Sequence, residues 1–520
     1  MRIGVDVGGT NTDAVLIDNR DVLGAVKRPT KANVEDGIVD AITALLAETC
    51  VERAQIRRVM IGTTHFTNAF VQARHLSKVF ALRLSYPAGQ DIPPFSAWPE
   101  TMREAVEGGS YVAHGGYNFD GREISSLDED EIRRVAGLIK DSGIAQVAIS
   151  CVFSQLNSDH EHRAAQILRK LLPDVGISLS SELGRVGLLE RENAAIMNGC
   201  LRPLAAQVDK AFQAALNRLG ISAPFLVSQN DGTLMKSSHM RDYPVFTFAA
   251  GPTNSLRGAA WLTGLSETIV ADIGGTTTDI GVLVNGFPRQ SSKLVDVGGV
   301  YTNFRMPDIL SIGLGGGSIV AKLGDMISIG PKSVGFELRK KAWIFGGNVL
   351  TASDIAVAGG AAKFGDEKKL GSLDRETVNT ATIEIHRIIE EGIDRMKTSA
   401  DKVPVVLVGG GSVLVSRTLN GVSKLFVPEH AECANAVGAA IGQVGGEVDK
   451  IFQFDGKDKQ KVLDEAEQYA RESSIAAGAD PATVEIIDRD MIPIQYLPGN
   501  TMRVICRAVG DLSYEGPANA

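Results

Sequence analysis

At 520 residues, with 44% hydrophobic and 22% charged side chains, the chain has an ordinary globular composition and apolar material for about two to four domains. A formal net charge of −9 and an isoelectric point near 5.5 argue against a general nucleic-acid or anionic-membrane surface, but leave room for a polyanion held through a metal ion and backbone amides. Five scattered cysteines without a C-x-x-C or Cys/His cluster indicate neither a disulfide framework nor a zinc site, and point to reduced, mostly buried thiols.

The chain opens on RIGVDVGGTNTDAVLID. The apolar run Ile3 to Val7 is broken by Gly8-Gly9 and resumed from Ala14 to Ile17, which reads as strand, tight turn, strand. Nothing there resembles a signal peptide, and the longest apolar runs are too short to cross a bilayer, so a cytoplasmic protein is expected. Ile38, Ala41, Ile42, Leu45 and Leu46 form a helical stripe, RRVMIGTT a short strand with a polar end, and AQVAISCVFS a buried strand. Within NFDGREI, Asp120-Gly121 reads as a structural turn with Arg122 and Glu123 pairing nearby, and LDEDEIRR reads as a solvated helix start. A long helical pattern follows from about Glu190 to Arg218, kinked by Pro203 and ended by Gly220.

TIVADIGGTTTDIGVLVNG then repeats the opening plan from Ile269 to Val284, with Asn285-Gly286 as a hairpin signal. Beyond it come DILSIGLGGGSIV, a helix from about Arg375 to Lys397, the run VPVVLVGGGSVL, and CANAVGAAIGQVGG, which is rich in small residues and reads as helical. From about Glu447 the character shifts, and a charged helix, DKQKVLDEAEQYARESS, leads into two or three strands around Pro498-Gly499. Strands alternating with helices argue α/β layers, and the repeated hairpin argues two related halves. The expected division is 1–260 for an N-terminal lobe with inserted substrate-side elements, 261–446 for a second lobe, and 447–520 for a small carboxy-terminal α+β appendage.

The two hairpins carry the chemistry. Paired glycines let backbone N–H groups point into a concavity and threonine hydroxyls add donors, so Gly8, Gly9, Thr10 and Asn11 in one turn, with Gly274, Gly275, Thr276 and Thr277 in the other, suit phosphate oxygens. Asp6 and Asp272, at their strand ends, are candidate ligands of Mg2+, and Asp13 and Asp279 close each motif as further candidate catalytic carboxylates. Gly409, Gly410, Gly411 and Ser412 follow a strand and permit close approach to a nucleoside. Thr63, Thr64, His65 and Asn68 stand where a strand enters a helix and are candidate substrate contacts, with helix capping as the plain alternative. Gly315 and Gly316 in GLGGGS either line the cleft or pack a turn.

The order of these motifs, phosphate turn, second phosphate turn, nucleoside turn, resembles the actin-like ATPase superfamily of sugar kinases, acetate kinase and heat-shock chaperones, with ANAVGAAIG (Ala434 to Gly442) like its second connecting helix. More narrowly, DVGGTNTDAVLID, IGTTHFTNAFVQ, YNFDGREISSLDEDEI and PDILSIGLGGGSI together resemble the hydantoinase A/5-oxoprolinase family, which includes the acetone carboxylase β subunit. RENAAIMNGCLRPLA and SQNDGTLM match it more loosely. The resemblance implies a two-lobed actin-like (ribonuclease H-like) fold with ATP and Mg2+ in a central cleft. It implies an ATP-dependent hydrolase of a cyclic amide, such as a hydantoin, 5-oxoproline or another lactam, whose ring carbonyl is activated by phosphorylation. It also implies a partner hydrolytic (B-type) subunit and a homo-oligomer, with neither nucleic acid nor membrane as a partner.

Three departures accompany the resemblance. The chain is shorter than the usual single subunit, no B-type half is fused to it, and GPKSVGFELRKKAWIFGG replaces the family's glycine-proline-alanine-cysteine-tyrosine-glycine segment, so no cysteine lies there. Two alternatives stay open: a small-molecule kinase releasing a stable phosphorylated product, and a non-catalytic ATP-binding regulatory subunit of a larger complex. The scattered cysteines speak against a redox activator with an iron–sulfur cysteine pair.

Overall fold

The computed structural model describes residues 1–9, 11–31, 33–291, 294–323, 326–452, 454, 458–494 and 501–513. Thr10 and the expected Pro498-Gly499 turn lie outside them.

The first lobe starts with β1 (Arg2–Val7), β2 (Asn11–Asp18) and β3 (Asp21–Pro29), followed by helix α1 (Val34–Thr49). Alternation in β1 sends Ile3 and Val5 into a core shared with Ile38, Ala41, Ile42 and Leu45 of α1, so the predicted stripe is buried apart from its edge residue Leu46. Strand β4 (Arg58–Thr63) runs parallel to β1 and leads into the short helix α2 (His65–Val71). An inserted parallel sheet of strands Val79–Tyr86, Glu107–His114, Gln146–Cys151 and Gly176–Leu179 has its own apolar core. In its NFDGREI segment, Arg122 pairs with Asp120, and Glu123 meets the buried His160 at 3.2 Å.

Helix α3 (Leu188–Leu219) continues through Pro203 and ends on Gly220 in the left-handed region. Strands β5 (Phe225–Ser228) and β6 (Thr233–Lys236) and helix α4 (Ala250–Thr263) complete this part. The central order is β3-β2-β1-β4-β5.

The second lobe repeats it. Strands β7 (Thr268–Ile273) and β8 (Thr278–Val284) form the hairpin, and β9 (Val403–Val408) and β10 (Val422–Phe426) extend the sheet on the β7 side. The short Phe287–Pro288 strand lies outside β8, as β3 lies outside β2. Helix α5 (Arg375–Met396) covers this sheet with Ile385, Ile389 and Ile393. Two copies of one strand order, each starting with the hairpin, give the two-lobed actin-like plan expected from the sequence.

A strap crosses between the lobes. Residues 295–306 follow the second hairpin, yet Val297, Val300, Phe304 and Met306 are buried in the core of the first lobe. Asn303 fastens the strap there, since its Nδ2 donates to the carbonyls of Arg185 and Val186, each at 3.1 Å.

The segment read as helical from Cys433 to Gly446 is a helix only over α6 (Ala434–Ala440). From Gln443 it is strand β11 (Gln443–Phe452), where Val444, Gly446 and Val448 alternate inward. Small residues carry little periodicity, which is why the switch was invisible in sequence. Helix α7 (Lys459–Ala477) and strands β12 (Glu485–Pro493) and β13 (Met502–Gly510) follow. These three strands extend the first-lobe sheet, in the order β12-β13-β11-β6.

Candidate functional site

The two turns are built alike to the level of single atoms. In the first hairpin Asp6 stands opposite Asp13, and in the second Asp272 stands opposite Asp279. Each turn closes with one backbone bond, from Gly8 N–H to the Asn11 carbonyl at 3.0 Å and from Gly274 N–H to the Thr277 carbonyl at 2.9 Å. At the tips, a Cβ added to Gly275 would meet nothing within 4 Å, and one added to Gly9 only the Asn68 amide at 3.9 Å. The glycines therefore leave their backbone open to a ligand.

The two aspartate pairs are positioned by different neighbours. The Asn435 amide donates to Asp6 Oδ2 at 3.0 Å and to Asp13 Oδ2 at 2.9 Å, and Lys27 pairs with that same Asp13 oxygen at 2.6 Å. Ser255 donates to Asp272 Oδ2 at 2.5 Å, and Ser311 to Asp279. Burial, reinforced by Asp13, pushes the Asp6 carboxyl up to about 6. Burial with a contribution from Asp272 does the same for Asp279, to about 6, and burial also raises Asp272. The remaining oxygens of Asp6 and Asp13, both Oδ1, are buried without a hydrogen-bond partner.

The other predicted segments gather around these turns. Thr63 is fully buried at the end of β4, its hydroxyl 3.4 Å from His65 Nδ1, and the Thr64 amide donates to Val7 at 3.3 Å. The Asn68 amide reaches the Thr64 hydroxyl at 3.3 Å, so this group lies beside the first turn. Burial lowers the His65 pKa, with a smaller contribution from His75, which favours the neutral imidazole. Gly315 and Gly316 lie behind the second turn. The Gly316 amide donates to Gly274 at 3.0 Å, and a Cβ on Gly315 would fall 2.6 Å from the Thr276 amide.

After β9, Gly411 donates to Ile273 at 2.7 Å, while Gly409 has a φ of +81° and would push a Cβ to 2.3 Å from Asp272 Oδ1. Gly410, between them, faces open space, and the Ser412 amide donates back to the Gly409 carbonyl at 3.1 Å. The segment that departs from the family pattern also arrives here, with the Ser333 hydroxyl donating to Gly275 at 3.4 Å.

Helices α4 and α6 tie the lobes together. They cross so closely that a Cβ on Gly258 would be 1.9 Å from the Ala434 carbonyl oxygen, and one on Gly438 would be 1.8 Å from that of Asn254. Asn254 lies against Asp6 over Gly62, stabilising its charge without an aligned hydrogen bond. The five residues Lys27, Asn254, Ser255, Ser311 and Asn435 were missed in the sequence. Lys27 shows why: the turn at Asn19-Arg20 alone would pair Asp13 with Val26, and only a register shift between Leu16 and Ile17 brings Lys27 opposite it.

The donor set fits a hard divalent cation such as Mg2+: carboxylate oxygens, two of them unpartnered, with one ammonium among four aspartates. Among the described residues no group of three or more His, Cys, Asp or Glu converges as a ready-made metal cage. That suits a cation held by one or two carboxylates and completed by phosphate and water. The unpartnered oxygens belong to Asp6 and Asp13, so of Asp6 and Asp272, the two ligands expected from the sequence, Asp6 carries one of them. No helix among the described residues is long and apolar enough to cross a membrane.

Residues 2–172 match the family described as hydantoinase/oxoprolinase N-terminal region, and residues 191–396 match hydantoinase/oxoprolinase. The caprolactamase subunit alpha of Pseudomonas jessenii is 27% identical over 389 residues, covering 69% of this chain and 54% of the relative. The crystal structure of the ATP-dependent caprolactamase from the same organism superposes with a TM-score of 0.77 at 20% identity, covering 99% of this chain and 88% of the other. Nucleotide-free acetone carboxylase superposes with a TM-score of 0.68 at 17% identity, covering 100% and 89%. The chain spans about half the length of the curated relatives it matches. It belongs to the hydantoinase/oxoprolinase family and has the fold of these two structures.

Proposed function

We propose that this chain binds ATP with a divalent cation between its lobes and drives hydrolysis of a cyclic amide by phosphorylating the ring carbonyl oxygen. The observation that supports this most is the register of the two hairpins, which brings Asp6, Asp13, Asp272 and Asp279 to equivalent places beside two open glycine turns. An amide is a poor electrophile, and a phosphoryl group on its oxygen makes that oxygen a leaving group. Bound Mg2+ would supply charge neutralisation at the transferring phosphoryl group.

The chain's own residues then bind and orient. Asp6 and Asp272 hold the cation, the open amides of Gly9 and Gly275 with Asn11, Thr276 and Thr277 face the phosphates while Gly8 and Gly274 close the turns, and Gly409 to Ser412 border the adenosine. Gly315 and Gly316 stiffen the second turn from behind. Thr63, Thr64, His65 and Asn68 form the substrate side, where a neutral His65 can accept a proton or a hydrogen bond. Completion of hydrolysis by a separate partner subunit, assembly as a homo-oligomer and a cytoplasmic location belong to the same proposal. The name of the caprolactamase relative as a subunit supports the partner.

The test is phosphate release from Mg·ATP by the purified chain in the presence of hydantoin, 5-oxoproline or caprolactam, with Asp272→Ala as control. Release stimulated by one cyclic amide and lost in the variant supports the reading. ATP binding without stimulated release, even with a partner subunit added, sinks the hydrolase and leaves a binding subunit.

A further inference from the structure

Lys27 stands opposite Asp13 across the β2–β3 ladder, and among the described residues it is the one lysine or arginine within ion-pair distance of any of the four cleft aspartates. Its side chain is 34% exposed while its ammonium reaches in to Asp13 Oδ2 at 2.6 Å. That single bond uses one of three N–H donors. The oxygen it occupies is already served by Asn435 at 2.9 Å, so Asp13 keeps a partner when the lysine leaves. Its positive charge also acts on Asp6 and, in the other lobe, on Asp272. A long, flexible stem rooted at the surface lets the head swing without disturbing the sheet.

We propose that Lys27 is the exchangeable counter-ion of the cleft. In the nucleotide-free chain its ammonium neutralises Asp13, and when a nucleoside triphosphate arrives with a divalent cation it passes to the terminal phosphates while the cation takes the aspartates. The inference rests on the reading of the cleft as an ATP site and deepens it, naming the residue that discriminates triphosphate from monophosphate. A lysine that merely braced the sheet would make Lys27→Met lose cation and nucleotide binding together. A counter-ion predicts changes of opposite sign.

The experiment uses the full chain, with Mn2+ as the divalent probe followed by electron paramagnetic resonance and Mg·ATP and AMP followed by calorimetry. Lys27→Met is expected to tighten Mn2+ in the nucleotide-free chain about tenfold, because a competing positive charge has gone. It is expected to weaken Mg·ATP about tenfold or more and to leave AMP unchanged. Lys27→Arg, which keeps the charge, is expected to hold parental Mn2+ affinity. Parallel loss of Mn2+ and ATP binding, or no change in either, overturns the proposal while leaving the ATP site intact. A parent chain that binds no Mg·ATP overturns the ATP reading itself and Lys27 with it. Should Lys27→Met not fold, Lys27→Gln carries the same comparison.

Discussion

Asn254 and Ser255, consecutive residues of one helix, address the aspartates of opposite lobes. The Ser255 hydroxyl donates to Asp272 at 2.5 Å, and the Asn254 amide lies against Asp6. A ligand that draws on both aspartates therefore pulls on one turn of α4, and α4 is locked against α6 by Gly258 and Gly438.

Ser255→Ala removes a hydrogen bond to a partly buried carboxylate whose pKa burial already raises. Such bonds are worth about 1.5–3 kcal/mol. The variant is expected to lose about that much stability at pH 7 in urea unfolding. It is expected to lose Mg·ATP affinity as well, since Asp272 would no longer be oriented. Unchanged unfolding midpoints would show that the bond contributes nothing.

How much of this was legible follows from where each signal lives. Asp6, Asp13, Asp272 and Asp279 could be read because a duplicated glycine turn is a local pattern written twice. Asn435 could not, since it meets Asp6 from 429 positions away, and an asparagine in a small-residue helix carries no local mark of a ligand. Ser255 and Asn254 were hidden for the same reason. The strap was invisible because nothing local to Val297, Val300 and Phe304 says which lobe's core they enter. The carboxy-terminal strands were read as strands, but their attachment to the first-lobe sheet, through β11 beside β6, is a long-range fact.

Asp279 gives the pH dependence a definite sign. Its carboxyl is pushed up to about 6 by burial first and by Asp272 next, above the unfolded value of about 3.9. A raised carboxyl costs stability above its folded pKa, and the cost is relieved as pH falls from about 6 toward about 4. Asp279→Asn removes the cost while Ser311 can still donate to the amide oxygen. The variant is expected to be more stable than the parent by about 1–3 kcal/mol at pH 8, with the gain roughly halved by pH 5 and gone near pH 4. Chemical unfolding at the three pH values checks it, and a gain independent of pH would assign the effect to packing instead.

Gly409 and Gly410 separate folding from binding at neighbouring positions. Gly409→Ala places a Cβ at a φ of +81° and 2.3 Å from Asp272 Oδ1, so it is expected to cost about 2 kcal/mol or more. Gly410→Ala meets nothing within 4 Å and is expected to leave stability within about 0.5 kcal/mol. If the open face at Gly410 borders the nucleoside, that methyl group weakens ATP severalfold in the same titration. Thermal melts with ATP titrations on both variants decide it, and parental ATP affinity in Gly410→Ala would move the nucleoside elsewhere.

Arg305 is where the strap is anchored electrostatically. It comes from the segment after the second hairpin but inserts into the first lobe, pairing with Asp231 at 3.1 Å and with Glu447 of β11. Burial pushes the Asp231 carboxyl up, and Arg305 with the Thr233 donors overcomes that and holds it below its ordinary value. A depressed carboxyl contributes stability above its unfolded pKa of about 3.9, and that contribution is lost as pH falls through the folded value. Arg305→Met keeps much of the apolar stem but strands the buried Asp231 and the half-buried Glu447, at a cost of about 3 kcal/mol near neutral pH. The deficit is expected to shrink toward pH 4, because in the variant Asp231 can take up a proton that the parent refuses. Adding Asp231→Asn to Arg305→Met is then expected to recover part of the loss at pH 7. Hydrogen exchange supplies the structural readout, with faster exchange in residues 295–306 and 229–233 of the variant than in α5, which lies in the other lobe. Uniform acceleration across both lobes would mean that Arg305 supports global stability only and that the strap is held by Asn303 and its apolar contacts.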